Sequence, residues 1–452
     1  MFLKEEGMPI PQTIEIPIKM LTPIWTGDIS GRSTNLKMSG VMGGLRQAFE
    51  TLVRKHGGHT CNITGSDSSK KCNYERDRNV CPACLIFGCT GLSRVFRTAI
   101  SLSQEPCLVP ETDPIIHNRP HYTVSEYKRL EGRDQDRLQV VGKHVEYKYP
   151  CSIDTWLAAV ADLQINGRMP RLTEHNVAQN YLRNNVKVSF SKDPICIKIT
   201  PLRSTTADLA PIFRYLLLFL SKYWGIGAKV RQGWGMFELQ DAIDPGEIER
   251  EGTKAIERLI ENSGFRHTDW DTGLPNAAHC FCAEWELQSQ SPKLGLKWPQ
   301  VINYQARPYL ATGFALTYRL RRFVKFYEVD RGANTIPGIA SDWRKIGSRL
   351  NRGPWRRCPW KDTLPFVRAI FGRDGAGEQN KISGLVGTSH LFKKNDKWHV
   401  RFFGHIPNNY RYLDSNPPQN LRWDADDVRD FLVYSMSCML NGATMLNMDI
   451  NS

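Results

Sequence analysis

The chain runs to 452 residues, with 60 Lys and Arg against 46 Asp and Glu for a formal charge of +14, and 41% of it is hydrophobic. That length exceeds what one core ordinarily supports, so two domains are expected; the basic balance favours an anionic partner and says nothing of fold. The most apolar run, residues 215–220, is too short to span a bilayer, and residues 1–12 do not form a basic-then-apolar leader, so a cytoplasmic chain without a membrane partner is expected.

The first predicted element is a strand. Ile14, Ile16, Ile18 and Met20 alternate with Thr13, Glu15, Pro17 and Lys19, the period of two that buries one face. A polar loop over residues 26–34 follows it. Ser39 then stands where it can cap a helix whose Val41, Leu45, Phe49 and Leu52 form one apolar stripe, leaving Arg46 and Arg54 elsewhere on its surface.

Cysteines crowd the next stretch. Cys61, Cys72, Cys81, Cys84 and Cys89 are closely preceded by His56 and His59, and 12 cysteines in a reducing compartment call for a metal before disulfides. Cys81-Pro-Ala-Cys84 has the two-residue gap that turns both thiolates toward one tetrahedral ion, while Cys61 and Cys72 lie in a polar segment too poor in apolar residues to fold alone. Zinc held by Cys61, Cys72, Cys81 and Cys84 is the expectation, with His56, His59 or Cys89 as substitutes and a lone CxxC among scattered buried thiols as the alternative. Four protein ligands leave no open coordination position, so the site reads as structural. A thioredoxin-like pair lacks its surrounding βαβ pattern.

Strands are predicted at residues 94–100 and 195–199. Leu209, Ile212, Phe213, Leu216, Leu220 and Tyr223 then make the stripe of a second helix ending at Gly225. Residues 225–235 follow, holding Gly225, Gly227, Gly233 and Gly235 around Lys229 and Arg231. Glycine lets backbone approach a bulky anion, and the two cations neutralise phosphate charge. The spacing fits neither G-x-x-x-x-G-K-[ST] nor G-x-G-x-x-G, and no strand immediately precedes it, which leaves nucleic acid as the leading ligand, with a structural turn as the alternative. The loop feeds a strand at 235–239. Strand, helix, strands, helix, strand is the order of an α+β, ferredoxin-like domain, assigned to residues 1–262 with a cysteine-rich insert at 58–92.

A charged helix over residues 245–262 leads to a second domain at 277–452. His279, Phe281, Ala283, Trp285 and Leu287 alternate with Cys280, Cys282, Glu284, Glu286 and Gln288, the alternation of a strand. A further strand is predicted with Phe314, Leu316, Tyr318 and Leu320 on one face and Thr317, Arg319 and Arg321 on a basic one. Residues 364–370 resemble a helix end before Phe371-Gly372, as Leu85-Ile-Phe87-Gly88 follows the cysteines, and each pair precedes a β-like segment, the later one at 398–403. These read as a degenerate internal repeat. The last predicted helix covers residues 424–441.

Four motifs now stand in order: Leu21-Thr-Pro-Ile-Trp-Thr-Gly27, Ser39-Gly-Val-Met-Gly-Gly-Leu-Arg46 opening a helix, Cys81-Pro-Ala-Cys-Leu-Ile-Phe-Gly88 with Ser93-Arg94, and the glycine loop. Together they resemble the RAMP proteins of CRISPR effectors, and in particular the two-RAMP-domain subunit of the type III-B (Cmr) complex. The resemblance covers residues 13–240 by motif, and the second half through length and the weaker Phe-Gly repeat. It implies two ferredoxin-like RAMP domains in an RNA-guided ribonucleoprotein, with a CRISPR RNA guide, target RNA and sister subunits as partners. It further implies a place beyond the repeated backbone subunits, near the 3′ region of the guide, without guide processing by this chain.

In that setting the loop amides of Gly225, Gly227, Gly233 and Gly235, with Lys229 and Arg231, are expected to contact phosphates. Arg32 and Lys37 add charge from the first loop, and Arg46 from the first turns of the helix. Trp234 is a candidate to stack on a base, although an aromatic opening a strand is more often core. Arg319 and Arg321 are candidates in the second half. The competing class is an endoribonuclease using Asp28 in the first loop, but one carboxylate falls short of the base, acid and phosphate stabilisation that cleavage needs. His117, His121 and His144 are scattered, and neither G-x-S-x-G nor H-E-x-x-H occurs. A non-catalytic RNA-binding subunit is therefore expected; a free-standing RNA-binding scaffold shares the charge features without needing sibling subunits.

Overall fold

The computed structural model describes residues 12–26, 37–63, 67–101, 124–129, 138–141, 144–147, 194–202, 208–268, 270, 274–287, 309–310, 316–317, 320, 370–371, 384–408, 425–440 and 443–451. Alternating isoleucines make the first strand, β1 (Ile14–Met20), with Ile16, Ile18 and Met20 buried. Helix α1 (Met38–Lys55) buries Val41, Leu45, Phe49 and Leu52 as its period demands. Its cap differs from expectation: Ser39 lies inside the first turn, and Lys37 takes the cap position, its amide donating to Thr26 Oγ1 at 2.8 Å.

Then come α2 (Tyr74–Asp77), α3 (Pro82–Phe87), β2 (Phe96–Ser101), α4 (Val124–Tyr127), β3 (Leu138–Val141), β4 (His144–Tyr147), β5 (Ile195–Pro201), α5 (Leu209–Tyr223) and β6 (Phe237–Leu239). Four of the strands form an antiparallel sheet in the order β2-β5-β1-β6, and β3 pairs with β4 in a separate hairpin. Helices α1 and α5 pack on each other and on the sheet. Phe96 and Phe213 meet edge to face at 4.7 Å, and Phe87 reaches Phe96 at 5.3 Å, so α3 carries the cysteine segment onto this core. Helix α6 (Pro245–Ser263) runs along α5, started by Asp244 accepting from the Gly246 and Glu247 amides.

The second half supplies β7 (Cys280–Leu287), β8 (Tyr309–Leu310), β9 (Val386–Thr388), β10 (Leu391–Lys394), β11 (Lys397–His405), α7 (Ala425–Met439) and β12 (Thr444–Ile450). Its antiparallel sheet runs β12-β7-β11-β10-β8, with β9 also on β11. In both sheets the first strand of the half lies between its last strand and a later one. Strand β7 is buried on both faces. Trp285 donates from Nε1 to Ser437 of α7 at 3.0 Å on one side, and on the other the Glu284 and Arg401 pair meets the first half, Arg401 donating to the Ser221 carbonyl at 2.9 Å.

One expectation fails here, and one strand was not foreseen. Leu316, Thr317 and Leu320 are helical, not a strand; Leu316 and Leu320 are both fully buried, a spacing of four that suits one helix face. Strand β12 went unanticipated because its side chains are almost all exposed, leaving no buried alternation to read. Among the described residues, no helix is long and apolar enough to cross a membrane.

Candidate metal centre and nucleic-acid face

Cys61, Cys72, Cys81 and Cys84 are all buried, and their sulfurs lie within 4.8 Å of one another. Cys61 Sγ stands 3.5 Å from Cys84 Sγ and 3.8 Å from Cys81 Sγ. A tetrahedral ion with bonds of about 2.3 Å sets sulfurs about 3.8 Å apart, so the four fit such an ion. The backbone explains the convergence: Cys81 precedes Pro82 at the start of α3 and Cys84 sits one turn on, while the Cys81 amide points at Cys72 Sγ at 3.4 Å. Hydrogen bonds from Cys72, Cys81 and Cys84 hold the Cys61 thiol far below its usual range, while those with Cys61, Cys72 and Cys81 push Cys84 far up. Four thiolates crowded in a buried space repel one another unless a cation joins them.

The named substitutes lie outside this group. His56 turns its Nε2 to Tyr215 Oη at 3.3 Å on α5, and neither His59 nor the half-buried Cys89 belongs to the set of four. Arg46, expected to contact phosphate, stands beside it. Its Nη2 donates to Cys84 Sγ at 3.0 Å, Nη1 to the Gly88 carbonyl at 2.6 Å and Nε to Glu50 Oε1 at 2.9 Å. Burial opposes the guanidinium charge, but the sulfur of Cys84 and the carboxylate of Glu50 more than restore it. The spacing of Arg46 and Glu50, four apart on a helix, was readable in the sequence as a pair.

The glycine loop is mostly committed to the protein itself. Ile226 donates to the Gly235 carbonyl at 2.9 Å, Ala228 to Trp25 at 2.7 Å, Gly233 to Val230 at 2.8 Å and Gly235 to Pro23 at 2.7 Å, so these amides hold the loop shut rather than await an anion. Gly225 and Gly235 pack on each other, Gly227 lies against the Trp25 carbonyl, and Gly233 abuts His390 of the second half. Thr22, unremarked in the sequence, spans the loop by donating to Gly233 O and accepting from Met236 N, both at 2.9 Å. Trp234 is 1% exposed, between Trp25 at 5.4 Å and the edge of His390 at 4.4 Å, so it is core and not a base platform. Arg231 faces the junction of the halves, its guanidinium over Trp224 at 5.5 Å and its backbone against Gly387; burial lowers it to about 10, with Cys280 acting the other way.

Two predicted cations contact adjacent residues, Lys229 at Trp25 and Lys37 at Thr26. Lys229 reaches over the Trp25 ring at 3.9 Å, and the neighbouring Thr26 accepts the amide of Lys37, whose side chain is exposed. No acidic residue stands in the first turn of α1, no side chain caps it, and a Cβ on Gly43 would meet nothing within 4 Å. Bare backbone and a helix's positive end thus adjoin Lys37. Arg32, Arg319, Arg321, Asp28, His117 and His121 lie outside the described residues.

Residues 17–238 match the sequence model of the RAMP superfamily. This segment belongs to that superfamily. The RAMP segment runs from inside β1 to β6, and so takes in the first sheet, the cysteine cluster and the glycine loop. No curated protein matches the chain. Among solved structures, apo Cmr1 from Pyrococcus furiosus aligns with a TM-score of 0.39 and 11% identity over 96% of this chain and 98% of that one. A chain of the type III-B Cmr-beta complex bound to cognate target RNA gives 0.37 and 10%, over 94% of this chain and 99% of its own. The same complex with target RNA and AMPPnP, in the presence of ssDNA, gives 0.36 and 10% over the same shares.

Proposed function

We propose that the chain is a non-catalytic, RNA-binding structural subunit of a CRISPR type III-B effector, set near the 3′ end of the guide, where it helps to capture target RNA in the cytoplasm. The observation that carries the reading is membership of residues 17–238 in the RAMP superfamily. Two ferredoxin-like domains are the matching architecture, supported by the repeated strand arrangement of the two sheets. The formal +14 charge suits a polyanion, and Lys37 and Lys229, at Thr26 and Trp25, are the cations assigned to phosphates. Base pairing with a guide reads sequence in such machines, so protein contacts need only read backbone. Zinc is the ion assigned to Cys61, Cys72, Cys81 and Cys84, because four soft thiolates without an open position suit a structural site.

Labelled RNA incubated with the purified chain, with and without divalent metal, is expected to bind without being cut. Replacing Lys37 and Lys229 with Ala should weaken binding across sequences and flatten its salt dependence by about one to two ions, at about 0.7 to 0.9 per phosphate contact. Unchanged affinity and slope would remove the two lysines from the site. Cleavage abolished by Asp28→Ala would replace the reading with a nuclease. Co-purification with a guide RNA and sister subunits tests the place in the complex.

A further inference from the structure

We infer that Arg46 tunes the metal centre: it hydrogen-bonds a ligand sulfur, offsets the charge of the thiolate cluster and ties that cluster to α1. This rests on the reading of the four cysteines as metal ligands. A divalent ion bound by four thiolates keeps two negative charges, which a buried site tolerates poorly without a nearby cation. Arg46 brings that cation to hydrogen-bond distance, 3.0 Å from Cys84 Sγ. Its other two donors are also fixed, on the Gly88 carbonyl just past α3 and on Glu50 one turn along α1. Glu50 in turn lies 3.8 Å from Arg54, so the carboxylate sits between two guanidiniums and the group as a whole stays positive.

The planar fork matters as much as the charge. One guanidinium addresses a sulfur, a carbonyl and a carboxylate in fixed directions, which the single ammonium of a lysine cannot reproduce. A hydrogen bond to a thiolate draws electron density from sulfur, while the bond to Gly88 keeps the end of α3 in place beside it. Partners of this kind outside the ligand set typically alter metal affinity by about 10- to 100-fold.

The test uses the full chain with zinc and, separately, with Co(II) as a spectroscopic probe. In competition with a chromogenic chelator, Arg46→Met should lower zinc affinity by about 10- to 100-fold, with Arg46→Lys between it and the native protein. The sulfur-to-cobalt charge-transfer band of Arg46→Met should move to longer wavelength, because a thiolate without its donor gives up charge more easily. A general loosening of the fold does not predict that shift. Native affinity together with a native band in Arg46→Met would overturn the inference. If Arg46→Met does not fold, Glu50→Gln, which keeps Arg46 but weakens its anchor, should shift the same band in the same direction, and no shift there would also overturn it. A native chain that takes up neither ion would instead sink the assignment of the cysteines as ligands, a separate result.

Discussion

Gly235 holds φ at +73°, and a Cβ there would overlap the Ile226 carbonyl oxygen. Left-handed backbone and a fixed wall leave room only for hydrogen. Gly235→Ala should therefore cost at least about 3 kcal/mol, read as a lower urea midpoint. Trp234→Ala empties a buried site between Trp25 and His390 and should cost about 3–5 kcal/mol. Corrected for the folded fraction, RNA affinity of that variant should match the native chain; a specific loss would restore Trp234 as a stacking residue. The glycines and tryptophan of residues 225–235 were visible as a dense group, but their partners were not. Pro23, Trp25 and His390 are remote in sequence, so only the fold shows that the loop's amides are spent internally.

Elements with a strong period were legible. Strand β1 keeps one face in the core, and α1 and α5 bury the stripes that their 3.6-residue spacing predicts. Four leucines, tyrosines and phenylalanines in alternation at 314–320 misled, because i and i+4 apolar positions satisfy both periods and Leu316 and Leu320 use the helical one. Strand β12 left no trace, since Met445, Leu446 and Ile450 remain exposed at the edge of the sheet. The cysteine segment between α1 and β2 was legible through its cysteine spacing, not through its period. Its short helices hold few turns, so a bound ion would be expected to supply much of its order. Stripping the metal with a strong chelator should strip hydrogen-exchange protection from amides in residues 58–92 while those of β1 and β5 keep theirs. Unchanged protection throughout would mean that the segment stands without metal.

Across the whole molecule, the two halves meet where α5 ends. Glu284 of β7 takes His399 Nδ1 at 2.9 Å and Arg401 Nε at 2.7 Å, and Arg401 carries the contact on to the Ser221 carbonyl. Burial raises the Glu284 carboxyl, but His399 and Arg401 outweigh it and hold the group down at about 2 against an ordinary 4.5. A lowered carboxyl contributes stability above the unfolded value, and that contribution disappears as pH falls from about 4.5 to about 2. The difference corresponds to about 3 kcal/mol. Glu284→Gln should destabilise the chain at pH 7 and make its unfolding free energy less sensitive to pH in that window. An unaltered pH profile would show that the junction does not depend on this carboxylate.

The amino-acid order alone determined the basic character, the crowding of cysteines at CxxC spacing, and the helices and strands whose apolar residues recur at one clear period, because those properties are local or additive. Tertiary structure alone decided that β7 is buried on both faces, that Trp234 is core, and that Arg46 reaches the sulfur of Cys84. Each of those depends on which distant surface comes to lie opposite, and a side chain of given chemistry takes its role from the partners that the fold sets against it.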